Sequence, residues 1–503
     1  MSYFKAAIRG TAFTLLLLLA YQPAANAQQA APATKPPDAA YYGFRNAATA
    51  PPLGWPGPVF QLSHNYPHQP PLPSSTKCPE KECPWLYVKV NFTPNFPKDP
   101  KDIKSPSWHE GNWDLYLNTI LKYVMEGQTS DLNNETGWQV KVNDKTRWFN
   151  VPWMAYDPTA GREFVHGTTN ERTASVEDLM GATHQPHGHT LFAGETESCK
   201  NKYPYGFESW SVGYYNEYGG YAMGRAIPAT GVPQMSTYLG VPIPAGLPFP
   251  EGTVVVKILT SSIPVECAPF LHGSPAWQID RHSFSPTSGY SCDRTVQVSH
   301  VVQVDVAVTD SRSPIGWVYG TFAYDGDVPG NTFWDHLVPL GLQWGSDPWT
   351  FPAVPKSASL PLQQSVINKD IGTFQHLGCM DRLAGPVDNP SSSCTSCHAS
   401  AYAMAKGAVT DISTNAPPSF GFAGMCQVFS QQNSDYFQNQ IAPQGFPGGL
   451  YPGTVTMDTS LQLEVAFTQY GNFNTNHAPN QCTNPNQQGP PKPHVSAFAK
   501  EDK

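Results

Sequence analysis

Val302, Val304, Val306 and Val308 alternate with Gln303, Asp305 and Ala307. Successive side chains leave a strand on opposite sides, so a period of two describes a strand with two different faces. The same signal recurs in Trp138 to Val142, Trp210 to Tyr215, Thr253 to Leu259, Val296 to Val308 and Gly316 to Tyr324, with Gly and Pro between the runs. The spacing predicts an antiparallel sheet across 137–349, a sandwich or a curved sheet with one or two helices. Leu86, Val88, Val90 and Phe92 carry strand spacing as well. Trp113, Leu117, Ile120, Leu121 and Val124 share one face of a helix predicted over Trp113 to Glu126, and Gly127 stops it.

The chemistry is concentrated at Cys394-Thr395-Ser396-Cys397-His398. This C-x-x-C-H pattern is the one that attaches a c-type haem. Two cysteines three apart can each form a thioether to a haem vinyl group, and the adjacent imidazole can ligate the iron. A redox-active C-x-x-C pair is an alternative, but it calls for a strand-to-helix setting that the sequence around Cys394 lacks. Zinc is another, with Cys379 and Cys426 as further ligands, although neither belongs to a second C-x-x-C. A plain Cys394–Cys397 disulfide is a third.

The N-terminus reads as an export signal. Lys5 and Arg9 precede an apolar run from Thr11 to Ala20, and Ala25-Asn26-Ala27 fits a cleavage site. The run is too short to span a bilayer, and no later stretch approaches 18 apolar residues, so no transmembrane segment is expected after cleavage. Export and covalent haem attachment belong on the same side of a bacterial inner membrane, so the expected location is the periplasm.

The other eight cysteines suit disulfides in that compartment. Cys78–Cys83 and Cys267–Cys292 are the local pairs, and Cys426–Cys482 is a third candidate. The net charge of −9, without basic clusters, excludes a typical nucleic-acid binder. The expected partner is a redox protein. No G-x-S-x-G, Walker loop or dinucleotide-binding glycine motif is present in a fitting context, which argues against hydrolase, P-loop and Rossmann functions.

The expected organisation is a signal peptide over 1–27, then a proline-rich arm with a short strand and a disulfide over 28–110. A β-rich domain over 111–355 and a c-type haem domain over 356–503 follow. The fold class is α+β: an antiparallel β-rich domain, then a small, mainly helical haem domain with an irregular tail. Short helices are predicted around Val366 to Leu377, Ala399 to Lys406 and Ser460 to Tyr470.

One haem c is expected, held covalently by Cys394 and Cys397, with His398 as proximal ligand. Met457, shortly before the last of these helices, is the first candidate for the distal position. Met425 is the second, His477 or His494 would give bis-histidine ligation, Met404 is too close in sequence to wrap around the ring, and an open sixth site is the remaining option. His184, His187 and His189 are spaced so that they could bind a metal, or form a polar loop. Arg162, Glu163, His166, Glu171 and Arg172 could line a cleft, or link a loop by salt bridges.

Cys394 to His398, behind a signal peptide, resembles the periplasmic monohaem c-type cytochromes. A second similarity joins Phe249-Pro250-Glu251-Gly252-Thr253-Val254-Val255-Val256-Lys257, Gly316-Trp317-Val318-Tyr319-Gly320 and then C-x-x-C-H. That order resembles the hydroxylamine-oxidising cytochromes with a lysine-crosslinked haem, and their β-sheet cytochrome c′ relatives. The first resemblance implies single-electron transfer. The second implies a haem against an antiparallel sheet with an open distal face. An oxidoreductase acting on a peroxide, nitric oxide or hydroxylamine is then the alternative, and a haem-based sensor is a third.

Overall fold

The structure is a computed structural model. It describes residues 66–72, 77–126, 141–142, 145–150, 168–174, 193–203, 207–226, 235–238, 241–244, 247–285, 289–350, 361–371, 377–378, 381–388, 393–399, 401–404, 439 and 454–464. All of these belong to one unit, Pro37–Lys503.

Fifteen strands are described. A ribbon joins β1 (Lys141–Val142) to β2 (Lys145–Thr146). Then come β3 (Phe149–Asn150), β4 (Thr168–Ala174), β5 (Phe207–Tyr215) and a second ribbon of β6 (Met235–Tyr238) with β7 (Val241–Pro244). The series continues with β8 (Val254–Ser261), β9 (Ala276–Ser285), β10 (Gly289–Thr309), β11 (Trp317–Tyr324), β12 (Leu337–Gln343) and β13 (Ser365–Ile367). A third ribbon joins β14 (Tyr402–Met404) to β15 (Thr454–Thr456).

Nine of these strands make one antiparallel sheet in the order β13-β12-β11-β10-β8-β5-β3, with β4 also on β5 and β9 also on β10. The four long strand runs at 210–215, 253–259, 296–308 and 316–324 are all in it. Four α-helices are bounded among the described residues: α1 (Trp113–Met125), α2 (Ala193–Lys202), α3 (Glu217–Ala226) and α4 (Cys394–His398). The fold is thus α+β. The described part of 356–503 mixes short strands with short helices and is not mainly helical.

The period of two in β10 has a direct structural meaning. Val302, Val304, Val306 and Val308 pack with Val254, Val256, Ile258, Val318, Phe322 and Leu342 against Leu117, Ile120, Leu121 and Val124 of α1. The other face holds a separate cluster in which Val255, Ala307, Trp317, Tyr319 and Tyr215 meet Phe249, Ala401, Met457 and Leu463. Both faces are therefore covered, which is why every residue of β11 is buried.

Gly320 lies where α1 presses on the sheet. A Cβ placed there would fall 2.5 Å from Leu117 Cδ1, 3.0 Å from Leu342 Cδ2 and 3.2 Å from Val306 Cγ2. Gly320→Ala should therefore cost about 1–3 kcal/mol through overpacking. Urea titration will read it as a lower midpoint with an unchanged slope. A midpoint equal to wild type would mean that α1 does not press on the sheet at Gly320.

Several expectations need correction. Leu86 to Phe92 is not a strand: Pro84–Tyr87 is a 3₁₀ turn that starts on a proline, and the Leu86 N–H donates to the Cys83 carbonyl at 3.1 Å. Ser365–Ile367 is a strand that overlaps the start of the helix expected around Val366 to Leu377, because the edge of β12 offers it a ladder and its Val and Ile suit one. The expected helix from Ala399 is instead β14, which the chain forms by pairing with a distant segment. Within the last predicted helix, Ser460 still belongs to the preceding turn, 461–464 is helical, and 465–470 lies outside the described residues.

Cys78–Cys83 is bridged as expected. Cys267 pairs with Cys199 and not with Cys292. Helix α2 carries Cys199 to the turn Val265–Cys267, so contact in space overrides nearness in sequence. Cys379, Cys426 and Cys482 lie outside the described residues.

Candidate haem site

Helix α4 is a single capped turn. Ser393 and Ser396 form a reciprocal capping box at its start. Three further bonds strap it to the end of β12 and its neighbours. Cys394 N–H donates to the Leu383 carbonyl at 2.9 Å, Thr395 N–H donates to Gln343 Oε1 at 3.2 Å, and Thr395 Oγ1 donates to the Gly345 carbonyl at 3.0 Å.

Residues at i, i+3 and i+4 share a helix face. Cys394, Cys397 and His398 are accordingly all half-buried, whereas Thr395 and Ser396 turn inward and are buried. Cys394 and Cys397 are thiols, not joined in a disulfide. Burial, then the nearby carboxyls of Asp388 and Asp305, push the Cys394 thiol up. A redox-active C-x-x-C wants the opposite, a thiol pushed down by a positive surrounding. Among the described residues, no group of three or more His, Cys, Asp or Glu side chains could hold a metal ion.

His398 is held from behind. Its Nδ1 lies 2.8 Å from the Thr459 carbonyl oxygen, which can only accept, so Nδ1 carries the proton and Nε2 keeps its lone pair. The Tyr319 ring packs beside the imidazole at 4.6 Å between centroids.

Thr459 belongs to the turn Met457–Ser460, which is tied down on several sides. Tyr319 O–H donates to Thr459 Oγ1 at 2.7 Å, and Tyr215 Oη lies 3.0 Å from Ser460 Oγ. The Met457 N–H donates to the Ala401 carbonyl at 2.9 Å. The Asp458 carboxylate accepts from Phe249 N–H at 2.7 Å and Trp317 Nε1–H at 2.9 Å. Burial pushes the Asp458 carboxyl up to about 7, against the pull of those two donors. Met457 is fully buried in the same cluster as Trp317 and Tyr319.

Beside Cys394 the sheet carries a polar row. Lys257 of β8 stands opposite Asp305 of β10, and Asp305 opposite Thr321 of β11. Thr321 Oγ1 lies 3.9 Å from Cys394 Sγ. Gln303 Nε2 donates to both oxygens of Asp305 and, at 3.1 Å, to Asp388 Oδ2. Burial and then Asp388 raise the Asp305 carboxyl well above the usual range.

The motif and Met457, predicted from sequence, thus converge on the sheet's second face: His398 Nδ1 meets the Thr459 carbonyl, and Cys394 packs against the cluster that holds Met457. Met404 is in β14. Glu171 and Arg172 are in β4. Arg162, Glu163, His166, His184, His187, His189, Met425, His477 and His494 lie outside the described residues. Sequence reasoning missed Thr459, Tyr319, Asp458 and Asp305. The alternation of β11 and β10 places Tyr319 and Asp305 off the valine face, but nothing local links either to the motif.

The side chains present fit a covalent haem c. Two thiols and an imidazole share an accessible helix face, and the imidazole has its second nitrogen anchored, as haem and metal ligands require. Comparison of the chain with family models, curated proteins and solved structures finds no match.

Proposed function

We propose that the chain is a periplasmic c-type haem protein that moves single electrons, its haem bound through Cys394 and Cys397 with His398 as proximal ligand. One observation carries this: the two thiols share a helix face with an imidazole whose Nδ1 is held by the Thr459 carbonyl, which places the lone pair on Nε2. Bound there, the haem supplies a one-electron redox centre whose potential depends on its axial ligands and surroundings. The chain's own part is to hold the ring covalently, to orient the imidazole and to set its basicity. A redox partner protein is implied.

A second reading, an oxidoreductase acting on a peroxide, nitric oxide or hydroxylamine, is favoured by the place of Met457. Met457 sits two residues from the carbonyl that touches Nδ1, with its N–H tied to the Ala401 carbonyl and its side chain fully buried in the cluster that holds Trp317 and Tyr319. An iron with His398 as its one protein ligand would be open to such a small molecule.

The test is expression of the full chain with a cytochrome c maturation system. The mature polypeptide should retain haem through denaturation and acid-acetone extraction. Complete extraction would sink the proposal. Carbon monoxide then separates the two readings: a shifted reduced spectrum indicates an open iron, and an unchanged one indicates a carrier with two protein ligands.

A further inference from the structure

Asp458 (φ 52°) and Thr459 (φ 58°) are consecutive left-handed residues, and neither is glycine. A side chain in this conformation crowds the following carbonyl oxygen, so residues other than glycine adopt it seldom and singly. Such strain persists only where the surroundings over-determine it, and it clusters at functional sites. Here the surroundings reach the turn from separate parts of the fold. The Asp458 carboxylate ties it to the Phe249 backbone and the Trp317 indole, and the Tyr319 hydroxyl ties it to β11.

Tyr319 closes a circuit. Its ring packs on His398, and its hydroxyl holds Thr459, whose carbonyl accepts from the same imidazole.

We propose that Asp458 and Tyr319 are positioning residues for the haem ligand, locking the Met457–Ser460 turn so that the Thr459 carbonyl fixes the tautomer and rotation of His398; this rests on the haem assignment above. Neither residue touches the iron. An Nδ1–H bonded to a carbonyl makes the imidazole a stronger electron donor, which stabilises the oxidised metal. Loosening the turn therefore weakens that donation. Asp458→Asn replaces one acceptor oxygen by a donor, so it can no longer serve both Phe249 N–H and Trp317 Nε1–H. Tyr319→Phe keeps the ring on His398 and removes only the hydroxyl.

The experiment uses the haem-loaded full chain. Both variants should keep covalent haem and the wild-type far-UV circular dichroism, yet show a raised midpoint potential and a lowered iron–histidine stretching frequency in resonance Raman. Thr459→Ser, which keeps both the carbonyl and the hydroxyl, should match wild type in both readouts. A potential and a stretching frequency unmoved in both variants would overturn the positioning role.

If neither variant loads haem, proton NMR of the reduced wild type decides. A His398 Nδ1 proton in slow exchange with solvent supports the held imidazole, and a rapidly exchanging one overturns it. A wild type without covalent haem would overturn the haem assignment and this role together. A haem-loaded wild type with unmoved variants overturns the positioning role alone.

Discussion

Replacing Cys394 and Cys397 together by alanine is expected to abolish covalent haem while leaving the sheet folded. Both thiols stand on the half-buried face of a one-turn helix, and alanine keeps each Cβ and removes only the sulfur. The bonds that strap α4 to the sheet come from backbone groups and from Thr395, Ser393 and Ser396, none of which the substitution touches. The haem, by contrast, has no other covalent attachment in this proposal. Haem staining of the denatured double variant should be absent, and its far-UV circular dichroism should match that of wild type. Cys397→Ala alone should leave one thioether and reduced staining. Full staining of the double variant would remove the motif from haem attachment. Collapse of the β signal would show that the sheet depends on the haem.

Removing the Cys199–Cys267 bridge with the pair Cys199→Ala and Cys267→Ala is expected to cost about 4 kcal/mol, from the chain-entropy estimate for a loop of its size. The bridged residues are 68 apart in sequence, so the bond excludes a large set of open conformations from the unfolded chain. Both cysteines are buried, which is why alanine and not serine is the appropriate replacement. The bridge Cys78–Cys83 spans only five positions, and its removal should cost about 2 kcal/mol on the same relation. Denaturant midpoints of the two double variants, each against wild type, give the comparison. A smaller loss at Cys199–Cys267 than at Cys78–Cys83 would contradict the entropic account. The neighbouring Lys202–Glu266 ion pair is exposed on both sides and should contribute little to either result.

The sheet was legible because its signal is local and strong. Val302 to Val308 and the runs at 210, 253 and 316 each carry enough alternation to mark a strand without knowledge of partners. The elements that were misread are short and owe their form to neighbours. Ser365–Ile367 is a strand because β12 presents an unpaired edge. Tyr402–Met404 is one because Thr454–Thr456, some fifty residues on, lies alongside it. Leu86 to Phe92 has the alternation but lacks a partner strand, so its apolar residues pack on α1 from irregular backbone. A three-residue segment has little intrinsic preference, and tertiary contact decides its state.

The sequence by itself determined the candidate chemistry: two cysteines and a histidine at spacings of three and one are the pattern on which the haem proposal rests. It also determined that one face of β10 would be valine, because a period of two leaves no other arrangement. The tertiary structure alone decided what stands behind the histidine. Thr459 is sixty-one positions from His398, and Tyr319 reaches the imidazole from a strand seventy-nine positions earlier. Such contacts form when the sheet's second face is covered, and no local pattern encodes them. Cys199 meeting Cys267, and not Cys292, has the same cause: pairing depends on which surfaces the packed core brings together, and chain distance is a poor guide to that.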